Sequence, residues 1–356
     1  MPRRKAFFFG FKPWKNEVPN WFPDLECTVL SRKAPAMLIH GWPFRLLLYK
    51  KPEVYVWGFK YWPFLKIFCG IWGIPFFHVE DGFLRSVALG AHRSPPASLM
   101  VDSRTMHYDA RNASDLELIL ETYDFASDKA LMERAEKCIE LLLNFRVSKY
   151  NLGRRLTLDA VLGKKERPRI LVIGQVETDA AVKYGCDRPL TNNDLVRLAA
   201  AENPNAQIVY KPHPEVLHRT RAWVSDPAAV ADICEVLIDD IAPAEAFEGI
   251  DRVYTISSLM GFEALLRGIA VTCYGLPFYA GWGVTDDRLR TSRRTKLRSV
   301  QEIFAAAYIL RSRYFVSSQP SEMEAVLQWL HDATEAARVR ALTDNEGPGL
   351  SSLSTN

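Results

Sequence analysis

The feature that most restricts this chain is a rhythm of short apolar runs, each bounded by turn-forming residues and separated from the next by a longer connection. Phe7–Phe9, Cys27–Leu30, Ala36–Ile39, Val54–Trp57, Pro75–Val79 and Ser98–Val101 make a first series. Such runs are too short for helices and long enough for buried strands, so the pattern reads as an α/β unit with a largely parallel sheet. Two helical stretches follow. Asp115–Tyr123 comes after Ser114, a good N-cap. Lys129–Phe145 repeats apolar residues at Leu131, Ala135, Cys138, Ile139 and Leu142, the spacing of one buried helix face.

A polar run, 153–168, with Arg154, Arg155, Lys164, Lys165 and Arg167, then breaks the pattern and marks a boundary. A second series begins at Arg169–Gly174. It continues through helix Asn193–Ala201, strands Gln207–Lys211 and Val236–Asp239, helix Pro243–Phe247, strand Val253–Ile256, helix Leu259–Arg267 and strand Ala270–Tyr274. Val300–Leu310 and Ser321–Ala341 read as closing helices, the latter with Ser321 as cap and Glu322 and Glu324 in its first turn. The expected organisation is two Rossmann-like units, 1–152 and 169–342, joined by a linker at 153–168. The Gly/Ser-rich tail 343–356 reads as disordered.

Composition excludes several classes. A chain of 356 residues is long enough for about two domains. It has no uninterrupted apolar stretch near the ~20 residues of a membrane span, and its start lacks the apolar run of a signal peptide. A cytoplasmic location is expected. Six widely spaced cysteines without C-x-x-C pairs fit reduced thiols, and indicate neither a disulfide framework nor a zinc site. The net charge of +3 conceals an asymmetry: residues 1–72 hold 12 Lys and Arg against 4 Asp and Glu, a local +8, together with six of the nine Trp. Basic residues among aromatics suit an anionic membrane surface or single-stranded nucleic acid, and equally the solvated margin of an α/β core. No nucleic-acid motif accompanies them, so nucleic acid is not an expected partner.

A ligand shared by two parallel sheets sits at the carboxyl ends of the strands, which is where chemistry is to be sought. The absence of G-x-G-x-x-G after either first strand, and of G-x-x-x-x-G-K-[ST] anywhere, sets aside dinucleotide oxidoreductases and P-loop enzymes. Strand Val253–Ile256 runs into Ser257, Ser258, Gly261 and Glu263, with two hydroxyls and N–H groups at a helix start suited to a phosphate and a carboxylate suited to a ribose. The plainer reading makes Ser257 an N-cap and Glu263 a solvated charge. Strand Gln207–Tyr210 ends in Lys211-Pro212-His213-Pro214, where two prolines direct two donors toward a phosphate. The first strand of the second unit ends in Gln175-Val176-Glu177-Thr178-Asp179, offering a nucleophile or a general base. Strand Pro75–Val79 ends in Glu80-Asp81-Gly82-Phe83-Leu84-Arg85, an acid pair with a cation for a substrate carboxylate, or simply a turn.

Taken together, G-Q-V-E-T-D at 174–179, Y-K-P-H-P-E at 210–215, T-I-S-S-L-M-G-F-E-A-L at 255–265, Y-G-L-P-F-Y-A-G-W-G at 274–283 and E-D-G-F-L-R-S at 80–86 resemble the capsular polysaccharide retaining β-Kdo glycosyltransferases of the KpsC type. The resemblance covers about residues 70 to 310 in consistent order. It implies a GT-B-like α/β fold with two Rossmann-like domains facing across a cleft, and transfer of Kdo from CMP-β-Kdo with retention. Family members often carry two such modules, and this chain has room for one.

By the same resemblance Asp179 is the nucleophile that forms a glycosyl-enzyme adduct and Glu80 the general acid/base, with Asp81 the competing choice. His213 and Lys211 hold the CMP phosphate with Ser257, Ser258 and the Gly261 turn, Glu263 meets the ribose, and Gln175 and Glu177 line the nucleophile loop. Arg85 is assigned by charge to the Kdo carboxylate. No metal or cofactor is expected, since CMP is already a good leaving group. The implied partners are CMP-Kdo and a glycan or lipid-linked oligosaccharide acceptor, with peripheral contact at the cytoplasmic face of the inner membrane. Two other readings stay open: an inverting sialyltransferase-like CMP-sugar transferase, and a non-catalytic glycan-binding component of capsule export.

Overall fold

Two alternating patterns of buried side chains organise the computed structural model, which describes residues 3–11, 17–30, 42–87, 96–151, 153–217, 224–239 and 241–345. The first sheet is built on β1 (Arg4–Phe9), β2 (Leu25–Leu30), β3 (Glu53–Trp57), β4 (Phe76–Asp81) and β5 (Ser98–Asp102). Phe7, Phe9, Val54 and Val56 face one apolar layer while Ala6, Phe8, Tyr55 and Trp57 face another. Side chains alternate along a strand, so a strand apolar at every position is buried on both faces. Helix α1 (Pro63–Ile71) lies on the first of these layers through Leu65 and Cys69.

The second sheet carries β6 (Arg169–Ile173), β7 (Gln207–Lys211), β8 (Glu235–Val236), β9 (Arg252–Thr255), β10 (Ala270–Cys273) and β11 (Asp286–Asp287) in the order 11-10-9-6-7-8, all parallel. The expected strand Val236–Asp239 contracts to the two residues of β8, and the expected helix Pro243–Phe247 is a 3-10 turn at Glu245–Phe247. Ala36–Ile39 and His218 lie outside the described residues, as does most of the 343–356 tail.

In the first sheet only β2, β1, β3 and β4 are parallel; β5 turns back antiparallel to β4. Beyond β5 the sheet is completed by residues that follow the second unit. β12 (Ser312–Val316) pairs antiparallel with β5, and β13 (Gln319–Ser321) pairs with β12. The expectation that 169–342 belongs wholly to the second unit is therefore corrected. Residues 312–316, Ser-Arg-Tyr-Phe-Val, carry the β-branched and aromatic character of a strand, but the helical patterns on either side obscure so short a run. Ser321, expected as a helix cap, closes this hairpin instead.

The helices between the sheets follow the capping rules. Helix α2 (Asp115–Thr122) begins with Ser114 accepting from the Glu117 N–H at 3.1 Å. Helix α3 (Lys129–Asn144) begins with Asp128 accepting from Leu131 at 3.0 Å. In the second unit, α4 (Ala180–Gly185), α5 (Asn192–Glu202) and α6 (Leu259–Leu265) each leave the carboxyl side of a strand. Helix α7 (Val300–Phe304) runs into a π-helical turn, Ala305–Leu310, before the return to β12; α8 (Met323–Asn345) closes the chain. One continuous apolar cluster takes Met100 from the first sheet and Leu120, Leu131 and Cys138 from α2 and α3. From the second sheet and the segments around it come Leu171, Val253, Phe262 and Phe304. The result is the expected GT-B-like arrangement, with the two units sharing a core.

Candidate functional site

Glu80 and Asp81 end β4 half-buried, in antiparallel register with Met100 and Leu99. The Glu80 carboxylate accepts from the Asp81 N–H at 3.2 Å. Its other side rests on Gly58, whose φ is +52°; a Cβ there would stand 3.0 Å from Glu80 Oε2 and 3.2 Å from the Tyr108 hydroxyl. Gly58 thus provides both a left-handed backbone and the room that holds Glu80 beside Tyr108. Asp81 behaves differently. Its Oδ2 lies 3.3 Å from Arg85 Nε, and Arg85, only 1% exposed, also donates to Ser86 Oγ at 2.9 Å. Arg85 is therefore a structural cation beneath the loop, contrary to its expected place on a substrate carboxylate, and Asp81 is tied to it.

In the loop after β6, Gln175 is a cross-brace. Its Oε1 accepts from the Ser257 N–H at 2.8 Å, its Nε2 donates to Ser257 Oγ at 3.3 Å, and its backbone is held by Asn192. Glu177 accepts from the Asn192 N–H at 2.6 Å and from Ser225 through its N–H and hydroxyl, so it secures the start of α5. Asp179 caps α4, accepting from the Ala181 N–H at 2.9 Å, and its side chain is exposed. Of Gln175, Glu177 and Asp179, Asp179 alone is exposed.

Lys211 is buried and donates to the Ile241 carbonyl at 3.0 Å, which supports the loop from below. The half-buried His213 accepts at Nδ1 from the Glu215 N–H at 3.2 Å; that contact assigns the proton of the neutral ring to Nε2. At the end of β9, Ser258 caps α6, accepting from Met260 at 3.3 Å, and Ser257 donates to the Ala181 carbonyl at 3.2 Å. A Cβ on Gly261 would stand 2.2 Å from the Tyr279 hydroxyl, which itself donates to the Ser258 carbonyl at 2.5 Å. Gly261 is needed for that close approach. Glu263 is buried rather than solvated: Oε1 accepts from Ser148 Oγ at 2.6 Å and the Lys149 N–H at 3.2 Å. Oε2 has no hydrogen-bond partner among the described residues. Burial pushes its carboxyl up, against the opposing pull of Arg267 and Lys149.

Sequence reasoning overlooked the segment Ser148-Lys149-Tyr150, which lies between α3 and the linker and ends no strand. The Lys149 carbonyl accepts from the Arg85 and Ser86 N–H groups, both at 3.2 Å, while its own N–H goes to Glu263. Its ammonium stands 5.7 Å from the Tyr150 ring. Burial works against the charge on this amine, but Tyr150, Asp81, Glu80 and Asp179 together outweigh burial and hold its pKa above the usual value. Burial pushes the Tyr108 phenol well up, and Glu80 and Asp179 push it further. Lys149 and Tyr108 therefore each feel both carboxylates, one from each sheet. The one signal for Lys149 was topological, since a chain joining two facing units must pass along the cleft between them. His78 and His107 are not proton carriers here, because burial lowers them to about 4 and about 3.

Next to Gly58, where β1 and β3 end, a cavity of about 190 Å³ is lined by Phe9, Phe59, Lys60, Tyr61, Trp62 and Leu65. The conspicuous run 274–283 lies behind the strand-end loops, where Phe278 packs on Phe83 with ring centroids 4.7 Å apart. Trp282 is buried, donating to the Phe278 carbonyl at 2.8 Å, and Arg294 fastens the run through the carbonyls of Pro277 and Ala280 while pairing with Glu117 at 3.0 Å.

The family of capsule polysaccharide biosynthesis proteins matches residues 71–316, a span that holds the loops at Glu80, Asp179, His213 and Ser257. This chain belongs to that family. Among its relatives is the lipopolysaccharide-processing protein LpsZ of Rhizobium meliloti, 41% identical over 318 residues, covering 89% of this chain and 71% of LpsZ. The capsule polysaccharide modification protein LipA of Neisseria meningitidis serogroup B is 39% identical over 236 residues, covering 66% of this chain and 33% of LipA. Among solved structures, the β Kdo 2,4 transferase of Thermosulfurimonas dismutans KpsC superposes with a TM-score of 0.74 at 31% identity, over 93% of this chain and 99% of that one. The β Kdo 2,7 transferase of the same KpsC gives 0.70 at 30% identity with the same coverage. The family match begins at the last residue of α1, so all but the end of the +8 segment, and every residue lining the aromatic cavity, lie outside it.

Proposed function

We propose that this member of the capsule polysaccharide biosynthesis family is a retaining β-Kdo transferase that moves Kdo from CMP-β-Kdo to a glycan or lipid-linked acceptor. The observation that carries the proposal is the convergence of Glu80 and Asp179, from different sheets, on the same lysine and tyrosine. The likeness to two Kdo transferase structures supports the sugar, and retention by double displacement uses a nucleophilic carboxylate and a second one as acid/base.

In the proposed cycle the Asp179 carboxylate attacks the anomeric carbon C2 as its bond to the CMP phosphate breaks, and the electron pair leaves with CMP. His213 meets the growing phosphate charge with a protonated Nε2, beside Ser257 and Ser258, while Lys211 acts through the loop it supports. Glu80 then takes the proton of the acceptor hydroxyl as that oxygen displaces Asp179 from C2, and passes it to solvent. Lys149 takes the role first given to Arg85: it faces the Kdo carboxylate in a site that already holds three acidic groups. Glu263, with one oxygen unpartnered, is the proposed ribose acceptor. CMP as leaving group makes no demand for a metal or other cofactor. The reading places the enzyme at the cytoplasmic face of the inner membrane.

Intact mass spectrometry after mixing with CMP-Kdo tests the cycle. The parent protein should gain one Kdo, Glu80→Gln should accumulate the adduct, and Asp179→Ala should show none. An adduct surviving in Asp179→Ala, or an inverted product by NMR, overturns the mechanism.

A further inference from the structure

Helix α1 reads Pro-Phe-Leu-Lys-Ile-Phe-Cys-Gly-Ile, with Lys66 its single charged residue. A helix apolar on all sides belongs in an interior, yet only Leu65 and Cys69 of this one are buried. Ile67 is 63% exposed, Ile71 74% and the following Trp72 54%. A second short element runs alongside. Phe44, 63% exposed, packs edge-on against Phe68 of α1 with ring centroids 5.4 Å apart, and Leu47 and Leu48 continue outward from it, Leu48 at 82%. Two neighbouring elements on one face of the first sheet thus turn large apolar side chains to solvent together, which a solitary exposed leucine does not do.

The exposed charge of the segment that carries this patch has one sign. Between Trp42 and Val79 the chain holds Arg45, Lys50, Lys51, Lys60 and Lys66, and a single acid, Glu53. Glu53 is buried at the start of β3 and paired with Arg4, so it adds little to the surface field. Arg45, Lys50 and Lys51 are all exposed. An apolar surface whose own segment exposes cations complements a bilayer with anionic head groups, where side chains enter the acyl boundary and lysines stay at the phosphates.

We infer that Phe44, Leu47, Leu48, Ile67, Ile71 and Trp72, with Arg45, Lys50 and Lys51, form the surface by which this protein docks on an anionic lipid bilayer. The inference deepens the membrane-face reading above by naming its contact. It is independent of the transfer chemistry, so a protein that floats without transferring sugar separates the two.

Flotation of the full chain with phosphatidylcholine vesicles, alone or mixed with phosphatidylglycerol, is the test. The parent should float with the mixed vesicles and at least tenfold less with the neutral ones. Ile67→Ser/Ile71→Ser/Leu48→Ser should lose tenfold or more, and Lys50→Glu/Lys51→Glu should lose the salt-sensitive part of binding. Because these side chains are exposed, both variants should keep the parent melting temperature, which guards against misfolding. The inference is overturned if the parent stays unbound by mixed vesicles or if the triple variant floats like the parent. Sedimentation showing a parent dimer that the triple variant dissolves, without vesicle binding, would assign the patch to a second copy of the chain and overturn it equally.

Discussion

Lys149 shows how a single side chain can decide what a cleft accepts. In the proposed cycle the Kdo carboxylate approaches Glu80, Asp81 and Asp179, and the cation first assigned to meet it, Arg85, is held inside the loop by Asp81 and Ser86. The ammonium of Lys149 is the charge that feels all three acids. Lys149→Met should therefore raise the KM for CMP-Kdo by tenfold or more and erase the tighter binding of CMP-Kdo over CMP, with Lys149→Arg restoring part of both. Calorimetry and initial rates measure the pair, and an unaltered CMP-Kdo to CMP ratio in Lys149→Met would remove the residue from the sugar site. Residue types at strand ends were legible because a Glu-Asp pair, a Lys-Pro-His-Pro loop and a Ser-Ser cap are unusual there. What each of them bonds was not, since Gln175, Glu177 and Lys211 look as reactive in sequence as Asp179 does. Their partners, Ser257, Asn192 and Ile241, come from distant segments that only the fold brings near.

Among the elements, the strands with apolar residues at every position were the most legible, since burial on two faces leaves no other reading for Val54–Trp57 or Ile170–Ile173. Helices α2 and α3 were equally plain from Ser114 and the Leu131–Leu142 stripe. The hairpin of β12 and β13 stayed hidden because its pairing partner, β5, is some two hundred residues earlier, and long-range pairing leaves no local trace. The close packing of α6 was hidden for a similar reason. Its glycine has ordinary helical backbone, and the need for glycine arises from Tyr279, which follows β10. Gly261→Ala should destabilise the protein by about 1–3 kcal/mol in urea unfolding, the usual cost of forcing an extra carbon into a packed contact. Tyr279→Phe in the same chain should return part of that loss, because it removes the oxygen in the way. A Gly261→Ala protein as stable as the parent would show that α6 and the 274–283 run are not in firm contact.

For the whole molecule, the shared apolar cluster is the decisive feature. Leu120 and Cys138 pack in one continuous interior with Phe262 and Phe304, so each unit loses part of its core when the other unfolds. Heating should therefore give a single transition, coincident by far-ultraviolet circular dichroism and by tryptophan fluorescence, which reports on Trp21 and Trp57 in the first unit and Trp282 in the second. Two resolved transitions would mean the cluster does not couple the units. The hairpin on the first sheet carries a further consequence. The chain starts in β1, leaves the first unit near Lys149, and comes back at Ser312 to add β12 and β13 to the same sheet. Topologically the second unit is an insertion within the first, entering and leaving through one host. Such a cassette can change its own strand-end loops while the host, with its aromatic cavity and exposed apolar patch, keeps its surface unaltered.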